Sequence, residues 1–184
     1  MKELRNYRKL VNDLYAEVVP PEQWNRLFAD ALSTYREQHG ASPLMTVMTE
    51  DWCGDSACNL PLFTRMADSA GIEFRIFRSS DFPALKEYYT NRDVTHIPVL
   101  SFWDPSGDEF FRWVERPAAC AAPADTWKTA HPEFHKLRKA SDRESKREFA
   151  RLYREFLEAR AGWYRDGLWD ESAREVAEGV AGKI

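Results

Sequence analysis

Between residues 41 and 115, short apolar runs alternate with apolar positions at helical spacing. The run at residues 44–49 predicts a buried strand, and Leu60, Phe63 and Met66 then recur at the spacing of a helix. Three further strands are predicted at residues 72–77, 97–103 and 109–114. Pro83 marks a helix before the third strand, so helices separate the first three strands and predict parallel pairing. The turn residues at 104–108 predict an antiparallel hairpin for the last two.

Helical patterns dominate on both sides of this segment. Residues 1–40 are predicted to form two helices separated by Pro20-Pro21, with Leu4 and Tyr7 in the apolar stripe of the first. Residues 116–124 carry bracketing prolines and are expected to form a connecting loop. Beyond them, a long helix is predicted to pack an aromatic stripe on the protein and a short helix to follow at residues 171–180. The stripe comprises Phe149, Leu152, Tyr153, Phe156, Leu157 and Trp163.

Two short motifs carry the chemistry. Trp52-Cys53-Gly54 lies where the first strand ends and a helix with Pro61 begins, and Thr95-His96-Ile97-Pro98 precedes the third strand. Together they resemble the thioredoxin-like superfamily, whose active-site pattern Trp-Cys-Gly-Pro-Cys starts a helix and whose cis-proline precedes the third strand. The Trp-Cys-Gly-Asp variant is similar to a bacterial branch of it.

The resemblance covers about residues 41–115 and implies an α/β fold. This fold is a thioredoxin-like four-stranded mixed sheet flanked by helices, with helical extensions at both termini. We therefore expect an N-terminal helical extension at residues 1–40, a thioredoxin-like core at 41–119, and a C-terminal helical extension at 120–184 packed on that core.

The environment of Cys53 sets its reactivity. A cysteine at a helix N-terminus faces unpaired backbone N–H groups and the positive end of the helix dipole, which stabilise the thiolate and lower the thiol pKa. Nearby carboxylates act in the opposite direction, and Glu50, Asp51 and Asp55 are close in sequence. We therefore expect a modestly lowered pKa, with Trp52 shielding one side of the sulfur and Asp55 capping the helix.

The chain departs from the dithiol pattern at three positions. Ser56 replaces the second cysteine of the motif, Asp55 replaces its proline, and Val47 stands where the superfamily usually has a buried acid. The sequence therefore indicates a cytosolic thiol-disulfide oxidoreductase that uses Cys53 as a monothiol. It forms mixed disulfides that an external thiol resolves, with Ser56 donating a hydrogen bond to the sulfur. The expected substrate-binding residues are Trp52, Gly54, Asp55, Ile97 and Pro98.

Other roles remain open for the cysteines. Cys58 is a resolving candidate, but residues five apart on a helix have Cα atoms about 8.6 Å apart, whereas disulfides need about 4.4–6.8 Å. A metal site made of Cys53, Cys58 and His96 is another alternative. Cys120 is expected to be an incidental thiol. Neither a metal nor a cofactor is part of the leading interpretation.

Composition and charge limit the classes of partner that the protein is expected to bind. The chain has 26 basic and 30 acidic residues, so neither nucleic acid nor an anionic membrane is an expected partner. Three cysteines argue against a disulfide framework, and the charged start lacks the apolar stretch of a signal peptide, so a cytoplasmic location is expected. The expected partner is a protein disulfide or a low-molecular-weight thiol. The alternative is a non-catalytic protein-interaction module in which Cys53 is idle.

Overall fold

The computed structural model describes the backbone of residues 2–184 and the side chains from residue 9 onward. The predicted stripe residues Leu4 and Tyr7 lie outside the described side chains. Four strands and eight α-helices follow in chain order: α1 Lys2–Glu17, α2 Glu22–His39, β1 Leu44–Thr49, α3 Gly54–Ala70, β2 Phe74–Arg78, α4 Pro83–Thr90, β3 Val99–Trp103, β4 Glu109–Val114, α5 Ala121–Ala130, α6 Phe134–Lys139, α7 Arg143–Trp163 and α8 Trp169–Ala181.

The four strands form one mixed sheet in the order β2-β1-β3-β4. β1 and β2 pair in parallel, as the helix between them predicts, and β3 and β4 form the predicted antiparallel hairpin. The parallel prediction was wrong for β3, which runs antiparallel to β1. With eight residues, α4 extends only about 12 Å, so β3 begins beside the end of β1, where Val99 pairs with Met48. The predicted mixed α/β fold is confirmed.

One face of the sheet carries the larger apolar core. Alternate residues of β1 and β3 point into it and pack against α2, α3 and α8. Its fully buried members from these strands and helices are Phe28, Leu32, Met45, Val47, Leu62, Phe63, Met66, Leu100, Phe102, Ala173, Val176, Ala177 and Val180. The core therefore includes a helix from each end of the chain as well as the predicted strands.

The opposite face is covered by α4 and contains buried polar groups that are paired. The Tyr89 and Ser101 hydroxyls are 2.7 Å apart, and the Trp103 indole N–H donates to the Thr46 hydroxyl over 2.8 Å. Because each hydroxyl has a partner, burying it costs little. The first of these bonds joins α4 to β3, and the second joins β3 to β1.

Helix α8 packs against α2 and β4, and hydrogen bonds from both elements hold it in place. The indole N–H of Trp24 donates to Asp170 over 3.1 Å, and that of Trp113 donates to Glu175 over 2.7 Å. Gly179 lies so close to Phe111 that a Cβ at this position would be 2.2 Å from the ring. Helix α8 is therefore an integral part of the packed core.

The chain forms two compact units. One comprises the residues up to 116 together with 169–184, and the other comprises residues 117–168. The domain boundaries expected from the sequence stay predictions. The segment expected as a loop at 116–124 instead contains a 3₁₀ turn, Ala118–Cys120, and the start of α5. Pro123 is tolerated in the first turn of α5 because a donor there has no helical partner.

The second unit has its own apolar cluster. Phe134, Leu152 and Phe156 are buried in it, and Trp127 packs against them, with its ring centroid 4.6 Å from that of Phe156. The aromatic stripe predicted for the long helix therefore packs on α5 and α6. This helix ends at Trp163, and the segment Tyr164–Leu168, in which Gly167 adopts φ 137°, a conformation that favours glycine, leads into α8.

Candidate functional site

Cys53 occupies the point at which β1 leads into α3. The strand ends at Thr49, a tight turn follows, and the Cys53 N–H donates to the Glu50 carbonyl over 3.1 Å. Cys53 is the N-cap residue of α3, and its carbonyl accepts from the Ala57 N–H over 3.0 Å. Its side chain is only 5% exposed. The local sequence therefore places the sulfur at a helix N-terminus, below the protein surface.

The proline loop meets this sulfur from another part of the chain. The Ile97–Pro98 peptide bond is cis, and the Cys53 thiol donates to the Ile97 carbonyl over 3.3 Å. The Pro98 carbonyl accepts from the Glu115 N–H over 2.7 Å, and Glu115 has a φ of 68°. A non-glycine residue seldom adopts this conformation. At Glu115, this conformation accompanies the hydrogen bond from its N–H to the Pro98 carbonyl. The structure thus brings Cys53, Ile97 and Pro98 together.

Ser56 and Thr49 form a hydrogen-bonded chain to the sulfur. The Ser56 hydroxyl and backbone N–H both donate to Cys53 and lower its pKa. The Thr49 hydroxyl in turn donates to the Ser56 oxygen over 2.5 Å, and both side chains are buried. The sequence indicated Ser56 but not Thr49, because a threonine at the end of a strand is an ordinary residue. Only its position opposite Ser56 reveals its role.

Burial determines the direction of the Cys53 pKa. Removal of the sulfur from water raises its pKa above the ordinary value, and the donors on Ser56 only partly offset this effect. The expectation of a modestly lowered pKa was therefore wrong. The helix N-terminus is present, but the sequence did not reveal how deeply the thiol is buried. In the resting site, the Cys53 thiol donates its hydrogen to the Ile97 carbonyl.

The three nearby carboxylates do not act alike. Asp55 raises the pKa of Cys53 through its negative charge. Glu50 instead accepts hydrogen bonds from Ser79 Oγ over 2.5 Å and from the Ser80 N–H over 2.6 Å. Asp51 pairs with Arg78 over 3.2 Å. The last residue of β2 and the loop after it therefore hold these two carboxylates, which are not among the causes of the Cys53 pKa shift.

Asp55 is nearly buried in the first turn of α3. It is not the N-cap residue that the sequence analysis expected, because Cys53 holds that position. Its carboxylate lies 3.9 Å from the Arg116 guanidinium, which is also 3.3 Å from Glu115. An acidic residue in a first turn is favoured by the helix dipole. Arg116 was missed because nothing in the sequence relates it to a residue so far away.

The remaining predicted residues differ in accessibility. Trp52 projects into solvent with 64% of its surface exposed, whereas Gly54 is buried at the first position of α3. Cys58 and Cys120 are both 0% exposed. Within the part of the chain that the structure describes, no cysteine forms a disulfide, and Cys53 and Cys58 remain thiols on successive turns.

The described residues contain no group of three or more His, Cys, Asp or Glu side chains that could hold a metal. His96 is exposed beside the site, with Thr95 Oγ1 3.3 Å from its Nδ1. None of the helices from residue 2 onward is both long and apolar enough to cross a membrane.

Residues 6–128 match the family model described as Thioredoxin. The chain belongs to this thioredoxin family. The match contains every predicted site residue, from Trp52 to Pro98, and ends before α6. A search of curated proteins found no matching relative.

Two solved structures share the fold of this thioredoxin-family chain. A protein of unknown function from Pseudomonas aeruginosa is 14% identical, with a TM-score of 0.58 over 100% of this chain and 86% of that one. An HIV epitope-scaffold is 15% identical, with a TM-score of 0.52 over 100% of this chain and 87% of the other. At this identity the likeness shows the fold alone.

Proposed function

We propose that this thioredoxin-family protein is a cytosolic thiol-disulfide oxidoreductase that uses Cys53 as a monothiol. The observation that carries the proposal is the position of the Cys53 sulfur, 3.3 Å from the carbonyl that precedes cis-Pro98 and at the start of α3. Ser56 occupies the position at which a second cysteine would resolve the intermediate.

The reaction proceeds by two thiol-disulfide exchanges. In the first, the Cys53 thiolate attacks one sulfur of a substrate disulfide, the substrate S–S bond breaks, and the departing thiolate takes up the proton that Cys53 lost. In the second, an external thiol attacks the mixed disulfide and restores the Cys53 thiol. Each exchange forms one S–S bond and breaks one: the second joins the external thiol to the substrate half that Cys53 held, and a second external thiol must attack that new disulfide to reduce the substrate fully.

The substrate itself prepares the sulfur for attack. At rest, the thiol donates to the Ile97 carbonyl, and burial raises its pKa. An extended substrate segment that donates its own N–H to Ile97 O displaces the thiol from that carbonyl. The sulfur then keeps the two donors of Ser56, which stabilise a thiolate. Thr49 orients the Ser56 hydroxyl toward the sulfur by occupying its oxygen.

The second candidate is a non-catalytic interaction module, which the raised pKa and the 5% exposure of Cys53 favour. An idle thiol in this setting forms no mixed disulfide at any pH at which the protein is folded. In that case the exposed Trp52, at 64%, marks the partner surface.

Incubation with an oxidised small thiol, bis(2-hydroxyethyl) disulfide, followed by intact-protein mass spectrometry separates the two. The monothiol proposal predicts one adduct on the folded protein, lost in Cys53→Ser and retained in Cys58→Ser and Cys120→Ser. Added reductant must remove the adduct and restore the original mass. A protein that stays unmodified between pH 6 and pH 10 while folded contradicts the proposal and supports the module.

A further inference from the structure

Helix α8, beyond the family match, contacts the helix that carries the reactive cysteine. The indole N–H of Trp169, the first residue of α8, donates to the carbonyl oxygen of Cys58 over 2.8 Å. Cys58 is in the second turn of α3 and is fully buried. A residue 111 positions later in the chain therefore holds the backbone immediately after the site.

A second contact lies one residue further along α3. The Ser172 hydroxyl donates to the Asn59 side-chain oxygen over 2.9 Å, and the Asn59 amide donates to the Asp55 carbonyl over 3.0 Å. Asn59 and Ser172 are both 0% exposed. These two hydrogen bonds connect α8 to the first turn of α3. Because Asn59 and Ser172 are buried, removing either side chain would remove a buried hydrogen bond and would cost free energy.

The sequence of α3 explains why this turn needs support. Pro61 has no N–H to donate to the carbonyl four residues earlier, and its ring crowds the preceding turn. The helix between Cys53 and Pro61 therefore has weaker internal hydrogen bonding than an uninterrupted helix. Contacts from α8 compensate, and α8 is itself held by Trp24 and Trp113.

We propose that Trp169 and Ser172 are positioning residues of the Cys53 site. They keep the first two turns of α3 wound and thereby prevent Cys58 from reaching Cys53. A Cys53–Cys58 disulfide requires Cα atoms about 4.4–6.8 Å apart, whereas a regular helix holds them about 8.6 Å apart. This inference rests on the proposed monothiol function and explains how a chain with a nearby second cysteine remains a monothiol.

Hydrogen–deuterium exchange of the full-length protein tests the positioning role without relying on activity. Trp169→Phe removes the indole donor and keeps a ring, and Ser172→Ala removes the hydroxyl. Both are expected to speed amide exchange in residues 54–62 about fivefold, the factor that corresponds to one lost hydrogen bond. Trp24→Phe is the matched control, because the Trp24 indole N–H donates to Asp170 of α8 and not to a residue of α3. It should leave this segment within about twofold of wild type.

Oxidation by diamide provides the chemical readout. Diamide accepts two hydrogens while two thiols form one disulfide, and the Cys53–Cys58 bond should form at least about fivefold faster in Trp169→Phe than in wild type. Adding Cys58→Ser must abolish this product. Ser172→Ala is the milder change, so it keeps the test decisive if Trp169→Phe does not fold.

Two results overturn the positioning role. One is unchanged exchange in residues 54–62 in both variants, and the other is an equal increase in Trp24→Phe, which indicates general loosening of α8. Failure of the proposed function has a different signature. A wild-type protein that forms no small-thiol adduct contradicts the monothiol reaction, even if the hydrogen–deuterium exchange results support the positioning residues.

Discussion

The contact between Gly179 and Phe111 leads to a prediction of opposite signs for two Gly→Ala substitutions. Both Gly179 in α8 and Gly162 in α7 are helical, so alanine should stabilise either helix by about 0.5–1 kcal/mol. A Cβ at Gly162 meets nothing within 4 Å, whereas a Cβ at Gly179 lies 2.2 and 2.4 Å from two Phe111 ring atoms. Overpacking of that kind costs about 1–3 kcal/mol.

The two variants should therefore differ by about 1–3 kcal/mol, with Gly162→Ala at or above wild type and Gly179→Ala at or below it. For a chain of this length, 1 kcal/mol corresponds to a shift of about 2–4 °C in Tm. Thermal unfolding followed by far-ultraviolet circular dichroism measures both. If Gly179→Ala gains as much stability as Gly162→Ala, α8 does not pack against β4 as described, and its support of α3 loses its basis.

Three further predictions concern titration and hydrogen bonding. Asp55→Asn removes the charge that raises the Cys53 pKa, so the midpoint of iodoacetamide labelling against pH should move down; an unchanged midpoint would refute this assignment. Ser56→Ala removes a donor to the sulfur and should move the same midpoint up, and a downward shift would contradict the hydrogen-bond chain. Burial raises the pKa of Tyr89 from 10.0 to about 12. The contribution of the neutral Tyr89 side chain to the free energy of unfolding is therefore fully present below pH 10 and is lost as pH rises toward 12. Urea unfolding at pH 10 and pH 12 should show a loss about 2 kcal/mol larger in wild type than in Tyr89→Phe, and equal losses would falsify the assignment.

The parts of this site that depend on neighbours in sequence could be predicted. Cys53, Ser56 and Pro61 follow from one strand-to-helix junction, and Pro98 follows from its position before the third strand. These features are local because a helix start and a strand start each leave a recognisable pattern. The sheet order then brings the two segments together.

The missing parts depend on contacts between distant segments. Arg116 reaches Asp55, and Trp169 reaches Cys58, from other elements, and neither residue has an unusual pattern around it. The direction of the Cys53 pKa was missed for the same reason. Helix position is readable from the chain, but burial depends on everything packed around the sulfur.

The orientation of β3 shows the same limit at the level of the fold. Helices between strands favour parallel pairing, yet the short α4 brings the chain to β3 beside the end of β1. The length of the connection and the position at which the next strand joins the sheet determine the direction of β3. The spacing of apolar residues in the sequence gives no information about either.

The most direct test of the monothiol account is the number of coloured thiolates released when the folded protein reacts with an excess of 5,5′-dithiobis(2-nitrobenzoic acid). Each protein thiol that attacks this disulfide releases one yellow thiolate and keeps the other half of the reagent. The account predicts one thiolate per chain, because Cys53 reacts and the buried Cys58 and Cys120 do not, with the adduct retained on Cys53. Release of two thiolates with no retained adduct means that Cys53 and Cys58 have formed an internal disulfide, and release of none means that Cys53 is idle; either result contradicts the account.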